Sequence, residues 1–109
     1  MALYIMTWDL PLSAEQLKAY GEKAKTIWIP TLLKQQGMEE FRAYRNPTRT
    51  TPNIMIHMEF DSLASIGQFL ESEDIEIITS DLKNTGATNV SAQIWGGSPV
   101  VPEPIRPGG

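Results

Sequence analysis

The sequence predicts one α+β domain in which helices cover one face of an antiparallel four-stranded sheet. Four segments have the β-branched, aromatic and alternating composition of strands, and two segments with helical spacing lie between them. The resulting order, strand–helix–strand–strand–helix–strand, is that of the ferredoxin-like fold, βαββαβ. A length of 109 residues fits one such domain, which we place at residues 1–97, with a proline-rich tail at residues 98–109.

The first strand and the first helix lie in the N-terminal third of the chain. Residues 3–8 (LYIMTW) are apolar, aromatic or β-branched, as in a strand. Ser13 and Gln16 have the spacing of a capping box, which predicts the start of a helix, and Gly37 is placed to end it in a left-handed conformation. Apolar residues recur between these signals at helical spacing: Leu17, Tyr20, Ala24, Ile27, Trp28 and Leu32.

Pro30 predicts an irregularity inside this helix. Proline has no N–H to donate to the carbonyl four residues earlier, so we expect a kink near Thr26. A kinked helix above a sheet leaves space beneath it, and Trp28 lies beside this point in the sequence.

The remaining strands and helices follow in regular order. Residues 41–45 (FRAYR) and 53–60 (NIMIHMEF) read as strands joined by a turn-rich connection, and residues 88–95 (TNVSAQIW) read as the last strand. Two helical segments between the third and fourth strands carry apolar inner faces: Leu63, Ile66, Phe69 and Leu70, then Ile75, Ile78 and Leu82.

Alternation along the strands sorts their side chains into two faces. One face is almost wholly apolar and is expected to lie beneath the helices: Tyr4, Met6, Trp8, Phe41, Ala43, Ile54, Ile56, Met58, Phe60, Val90, Ala92 and Ile94. The other mixes large apolar groups with polar ones: Leu3, Ile5, Thr7, Arg42, Tyr44, Met55, His57, Glu59, Ser91, Gln93 and Trp95. A face open to water would be more uniformly polar, so we expect a second copy to pack on it as a two-fold homodimer.

Composition excludes several classes of function. The net charge of −4 and the scattered Lys and Arg residues argue against nucleic acid as a partner. The chain has no cysteine and a single histidine, which excludes thiolate nucleophiles and multi-histidine metal sites. No phosphate-binding loop or other cofactor motif occurs, so we expect no cofactor and no metal. No segment has an export signal or the roughly 20 apolar residues that span a bilayer, so we expect a cytoplasmic protein without a membrane partner.

His57 is the strongest candidate for acid–base chemistry. It is the one side chain whose ordinary pKa lies near neutrality, and Glu59 lies two residues further along the same strand face. Asp9, directly after the first strand, is a second candidate acid. The alternative interpretations are a packed interface histidine for His57 and a turn or capping role for Asp9.

Aromatic side chains and one arginine are the candidates for substrate binding. Trp8, Trp28, Tyr44 and Trp95 could stack on a flat heteroaromatic ligand, although such residues more often fill a core. Arg42 could hold a ligand carboxylate in bidentate geometry, and its alternative role is an ion pair with Glu59 or Glu40.

Four short segments give the chain a family resemblance. The MTWDLP segment at residues 6–11, the Trp28-Ile29-Pro30 step, the NIMIHMEF strand around His57 and the QIWGG segment at residues 93–97 resemble the HapK/RedY-like proteins. That family belongs to the dimeric α+β barrels. The resemblance implies a ferredoxin-like fold that dimerises through its sheets and a place in the biosynthesis of prodigiosin-type pyrrole pigments or bisindoles, with His57 as acid or base.

These observations favour cofactor-independent cyclisation or proton transfer on a heteroaromatic intermediate. Two alternatives stay open: a non-catalytic module that binds or protects a reactive intermediate or a partner enzyme, and a cofactor-free monooxygenase of the kind found in the same superfamily. Fold alone does not choose among them.

Overall fold

A four-stranded antiparallel sheet forms one layer of the protein. The computed structural model describes residues 1–11, 13–48 and 50–108. The strands are β1 (Ala2–Asp9), β2 (Met38–Arg45), β3 (Ile54–Phe60) and β4 (Thr88–Gly96), arranged in the order β2-β3-β1-β4 with every neighbouring pair antiparallel. This topology confirms the predicted ferredoxin-like fold.

Helices form the second layer. The first helical region consists of α1 (Ala14–Lys23), a π-helical segment (Ala24–Trp28) and α2 (Ile29–Leu33), and the second consists of α3 (Leu63–Leu70) and α4 (Glu73–Asn84). None of the helices within the described residues has both the length and the apolar character needed to cross a bilayer.

The strand register assigns the two sheet faces as the alternation predicts. Tyr4 pairs with Met58 on β3 and with Ile94 on β4, and the buried core is built on this face. The sheet contributes Ala2, Tyr4, Met6, Trp8, Ile56, Met58 and Phe60 to the core, and the helices contribute Trp28, Leu32, Ile66, Phe69, Ile75, Ile78 and Leu82. On the edge strand β4 the covering is incomplete, since Ile94 is 50% exposed.

The first helical region departs from α geometry at the predicted place. The N–H of Ile29 donates to the carbonyl of Ala24, five residues back, and the π-helical segment ends at Trp28, two residues before Pro30. The Thr26 hydroxyl also donates to the carbonyl of Glu22 at 2.6 Å. Since Pro30 cannot donate to Thr26, the wider π-helical turn accommodates the missing bond before regular α-helix resumes.

Strand β2 begins three residues earlier than the sequence predicted. Gly37 has φ of 84°, and its carbonyl accepts from the N–H of Asp61 at 2.8 Å, so the chain enters the sheet at Met38. The register shifts between Met38 and Glu40, which is a β-bulge. The bulge interrupts the alternation that the sequence analysis used to place the start of the strand.

Candidate functional site

A cleft of about 670 Å³ opens on the helix side of the sheet, at one end of the strands. Its lining comes from helix α1, from the connection after β1, and from the adjoining ends of β2 and β3 with the residues next to them. The lining residues are Leu10, Pro11, Leu17, Tyr20, Arg45, Asn46, Pro47, Asn53 and Ile54. The volume lies within the range of small-molecule sites, and the lining is mainly apolar with a few polar groups, as such sites are.

Two asparagines hold the walls of the cleft in place. The Asn53 side chain accepts from the N–H of Leu10 at 2.9 Å and donates to the Leu10 carbonyl at 3.3 Å. The Asn46 amide donates to the Thr50 hydroxyl at 2.6 Å and its oxygen accepts from the N–H of Thr48 at 2.9 Å. Both side chains use their polar atoms to fix the backbone, so they shape the cleft rather than offer free hydrogen-bonding groups.

Tyr20 connects the cleft to an aromatic cluster inside the protein. Its ring packs edge-on against Trp28, with centroids 5.3 Å apart, and against Trp8, with centroids 6.4 Å apart. Burial raises the pKa of the Tyr20 phenol to about 12, and the Trp8 indole N–H beside it lowers that pKa only in part. The Tyr20 hydroxyl therefore keeps its proton throughout the neutral range and is a hydrogen-bond donor.

The two indoles of this cluster differ in how their N–H groups are satisfied. The Trp28 Nε1 donates to the Asp81 carboxylate at 3.2 Å, and the Lys23 ammonium lies 3.7 Å from the same carboxylate. Trp8 is 2% exposed, and its Nε1 has no hydrogen-bond partner among the described residues. Although this N–H lies beside the Tyr20 hydroxyl, the geometry is not that of a hydrogen bond, so a buried donor remains without an acceptor next to Tyr20.

Arg45 gives the cleft its charge. It pairs with Ile54 at the end of β2 and, by alternation, projects on the helix side of the sheet, opposite to Arg42 and Tyr44. Among the residues that line the cleft it is the one charged side chain, and the described part of the chain provides no ion pair for it. The cleft therefore combines a cation, a protonated phenol and apolar walls.

The opposite sheet face gathers a different group of the predicted site residues. His57 pairs with Arg42 on one side and with Ile5 on the other, and the Tyr44 ring lies edge-on to the imidazole with centroids 5.0 Å apart. The Arg42 guanidinium forms an ion pair with Glu40, which raises the pKa of Arg42. This contact is one of the two ion pairs that the sequence analysis allowed for Arg42.

Glu59 and Trp95 also lie on the open face, but on different strands. Glu59 pairs with Glu40 on β2 and with Leu3 on β1. Trp95 pairs with Leu3 from the other side, is 53% exposed, and donates from Nε1 to Gln93 at 3.1 Å. A row of side chains across the sheet thus ends in an exposed indole.

Asp9 joins three segments of the chain. Its Oδ1 accepts from the N–H of Asn53 at 3.1 Å, and its Oδ2 accepts from the Asn89 side chain at 3.0 Å, beside a shift in the register of β1 and β4. Asn89 has φ of 53°, a left-handed conformation that asparagine tolerates. These contacts favour the turn-stabilising role for Asp9.

The sheet divides the predicted site residues into two groups that cannot contact the same small ligand. Trp8 and Trp28 are buried on the helix side, whereas His57, Glu59, Arg42, Tyr44 and Trp95 lie on the open face. The fold therefore does not form a site in which the two tryptophans hold a substrate against His57. Within the described ranges, no three His, Asp or Glu side chains are grouped so as to hold a metal ion.

Sequence reasoning missed the two residues that give the cleft its chemistry. The helical spacing of Tyr20 with Leu17 and Ala24 predicts only a packing role for this residue. Arg45 is one of several scattered basic residues in the sequence, although its position on the apolar side of β2 breaks the alternation. A cation at a core-facing strand position, one step from a turn, is the signal that could have located the cleft.

The comparisons with known proteins find the fold but not a family. No protein-family model and no curated protein matches the sequence. The chain is similar in structure to a proposed antibiotic biosynthesis monooxygenase from Deinococcus radiodurans, at 16% identity, with a TM-score of 0.76 and 97% of each chain covered.

Two further solved structures share the same architecture. HapK from Hahella chejuensis matches with a TM-score of 0.70 at 11% identity, over 91% of this chain and 94% of that one. A dimeric protein with a ferredoxin-like fold from Bacteroides fragilis matches with a TM-score of 0.68 at 15% identity, over 86% and 93%. At these identities the likeness establishes the ferredoxin-like fold of this chain, which the resemblance to the HapK/RedY-like proteins implied. It does not establish the chemistry of this chain, which depends on the site residues.

Proposed function

We propose that this protein binds a flat heteroaromatic intermediate of secondary metabolism in the cleft at Tyr20 and promotes ring closure or proton transfer on it without a cofactor. The observation that carries the proposal is the combination, in one cleft of about 670 Å³, of a phenol that stays protonated and a cation among apolar walls. Such a site can hold a planar molecule by its faces and polarise one of its edges.

Tyr20 is the proposed electrophilic group. A phenol with a pKa near 12 donates a hydrogen bond to a substrate carbonyl without losing its proton, and it stabilises the negative charge that develops on that oxygen during ring closure. No lining residue is a carboxylate or an imidazole. The proton released on ring closure therefore leaves through water or through a basic group of the substrate itself.

The proposed substrate class is a pyrrole or indole intermediate, as in prodigiosin-type pigments or bisindoles. Two observations support it: the short segments that resemble the HapK/RedY-like proteins, and the similarity of the whole fold to HapK. A planar, mainly apolar ring system also fits the apolar walls formed by Leu17 and Ile54.

We further propose that the protein is a homodimer joined through the open sheet face. Leu3, Ile5 and Met55 lie half-buried there beside an exposed Tyr44 and Trp95. A second copy would remove this apolar surface from water. The dimeric ferredoxin-like protein from Bacteroides fragilis supports this arrangement.

Dimerisation favours a second candidate site. A partner sheet would enclose His57, which already contacts the Tyr44 ring at 5.0 Å and faces Arg42 across the strand pair. Enclosed in this way, the imidazole could act as acid or base, with Glu59 as its charge partner. The residues that would contact the substrate there are Tyr44, Arg42 and Trp95.

Turnover of bipyrrole and indole carbaldehydes that carry an internal nucleophile tests the proposal and separates the two sites, because attack of the nucleophile on the aldehyde carbon closes a ring with loss of water. The wild-type protein, Tyr20→Phe and His57→Ala are incubated with each compound under nitrogen and under air, and products are followed by mass spectrometry. We expect anaerobic turnover that falls about 100-fold in Tyr20→Phe and persists in His57→Ala.

Each other outcome favours a different function. Loss of turnover in His57→Ala alone assigns the chemistry to the open face. Turnover that consumes oxygen favours the cofactor-free monooxygenase, which the similarity to the Deinococcus radiodurans protein makes a specific alternative. Binding without turnover under either gas favours a module that protects a reactive intermediate.

A further inference from the structure

We infer that the ligand of the cleft is an anion, a planar aromatic carboxylate whose charged group is held by Arg45 and whose ring lies between Leu17 and Ile54. This inference rests on the proposed binding site at Tyr20 and adds the charge and the orientation of the ligand.

The charge of the cleft lining is opposite to that of the whole chain. The protein carries 13 acidic and 9 basic side chains, for a net charge of −4, yet none of the nine residues that line the cleft is acidic and one is Arg45. The described residues supply no carboxylate to pair with this guanidinium. Arg45 is exposed to solvent and lines the cleft, so it is free to pair with an anionic ligand, and a guanidinium matches the two oxygens of a carboxylate.

Two neighbouring polar groups, the Tyr20 hydroxyl and the Trp8 indole N–H, bear on how such a ligand would be oriented. Trp8 Nε1 is buried without an acceptor, and an indole N–H can only donate, so the proton of the Tyr20 hydroxyl is not used by it. When the hydroxyl donates to a ligand acceptor, its oxygen becomes a better acceptor for the Trp8 N–H. A ligand that also carries an acceptor, such as a carbonyl or a ring oxygen, at the end far from its carboxylate would satisfy both groups.

This chemistry distinguishes the cleft from the open sheet face. There, the guanidinium of Arg42 already pairs with Glu40, and Glu59 lies on the same face. An added carboxylate would have to compete with Glu40 and would meet the charge of Glu59. We therefore expect an anionic ligand to bind on the side of the sheet that carries Arg45.

Titration of the full chain with indole-3-carboxylate and with the neutral indole-3-carboxamide tests the inference. The two compounds have nearly the same shape and differ in charge. Isothermal titration calorimetry should give about tenfold tighter binding of the carboxylate, and added salt should weaken that preference. Arg45→Gln should remove the preference for the carboxylate, whereas Lys18→Gln, which removes an exposed cation from α1, should leave the preference intact.

The results separate the inference from the function on which it rests. Equal binding of both compounds, abolished by enlarging Leu17 to Trp, would refute the anionic ligand and leave the cleft as a binding site. A preference that survives Arg45→Gln and disappears in Arg42→Gln would refute the assignment to this cleft. Absence of binding by both compounds would contradict the anionic ligand and the proposed function together.

Discussion

Alkaline pH should destabilise this protein through Tyr20, and replacing Tyr20 by phenylalanine should remove that part of the effect. The phenol has a pKa of about 12 in the folded protein because it is buried, against about 10 in the unfolded chain. Between these two values the unfolded state loses its proton while the folded state keeps it. The free energy of unfolding therefore falls as the pH rises through 10 towards 12.

The difference in pKa sets the size of this effect. Two pKa units correspond to a limit of about 2.7 kcal/mol, of which about 1.4 kcal/mol is already lost at about pH 11. Urea unfolding of the wild type and of Tyr20→Phe, from about pH 8 to about pH 11, measures the difference directly, because alkaline effects on other groups occur in both proteins. Burial also raises the pKa of Tyr4, so Tyr4→Phe serves as the control for loss of a different buried phenol hydroxyl.

The wild type should lose about 1.4 kcal/mol more stability than Tyr20→Phe over this range. The absorbance of tyrosinate offers an independent reading, since a titration with a pKa of about 12 should be present in the wild type and absent in Tyr20→Phe. Equal losses in the two proteins, or a Tyr20 phenol that titrates near 10, would mean that the Tyr20 hydroxyl is solvated rather than buried.

Three further predictions concern the fold and its assembly. Gly37→Ala should lower the free energy of unfolding by about 1–3 kcal/mol, because φ is 84° and an added Cβ would lie 2.6 Å from Asp61 Oδ1. Gly67→Ala in α3, where an added Cβ would meet no atom within 4 Å, should raise it by about 1 kcal/mol. Ile5→Asp on the open face should shift the protein from dimer to monomer in analytical ultracentrifugation, whereas Ile77→Asp, at a residue of α4 that is 53% exposed, should not. A monomeric wild type would contradict the proposed interface. Asp9→Asn should lower thermal stability, because it weakens the hydrogen bonds to Asn53 at 3.1 Å and Asn89 at 3.0 Å, and it should leave the affinity for indole-3-carboxylate within about twofold. An affinity loss like that of Arg45→Gln would instead give Asp9 a binding role.

The fold could be predicted because its signals are local. Strict alternation in β1 and β3 assigns every side chain to the correct face, and the helix start at Ser13 is confirmed by the N–H of Gln16, which donates to the Ser13 hydroxyl at 3.2 Å. Pro30 likewise marks the non-α segment because the loss of its N–H is a property of one residue.

The site could not be predicted in the same way because it depends on contacts between distant segments. Tyr20 and Ile54 meet in the cleft although they are far apart in the sequence, and no spacing rule connects them. The sequence identified chemically able residues such as His57 and Trp28, but the sheet places them on opposite faces. Alternation predicts the face of a residue, whereas a cleft also requires the positions of the helices, which tertiary packing sets.

The location of the ligand is the central claim, and chemical-shift mapping of the full chain with indole-3-carboxylate tests it most directly. We predict that the largest changes occur at the amides of Leu17, Tyr20 and Ile54 and at the buried Trp8 indole N–H, which lies beside Tyr20. Largest changes at Ile5, His57 and Trp95, with Leu17 and the Trp8 indole unmoved, would contradict the account and place the site on the open face of the sheet.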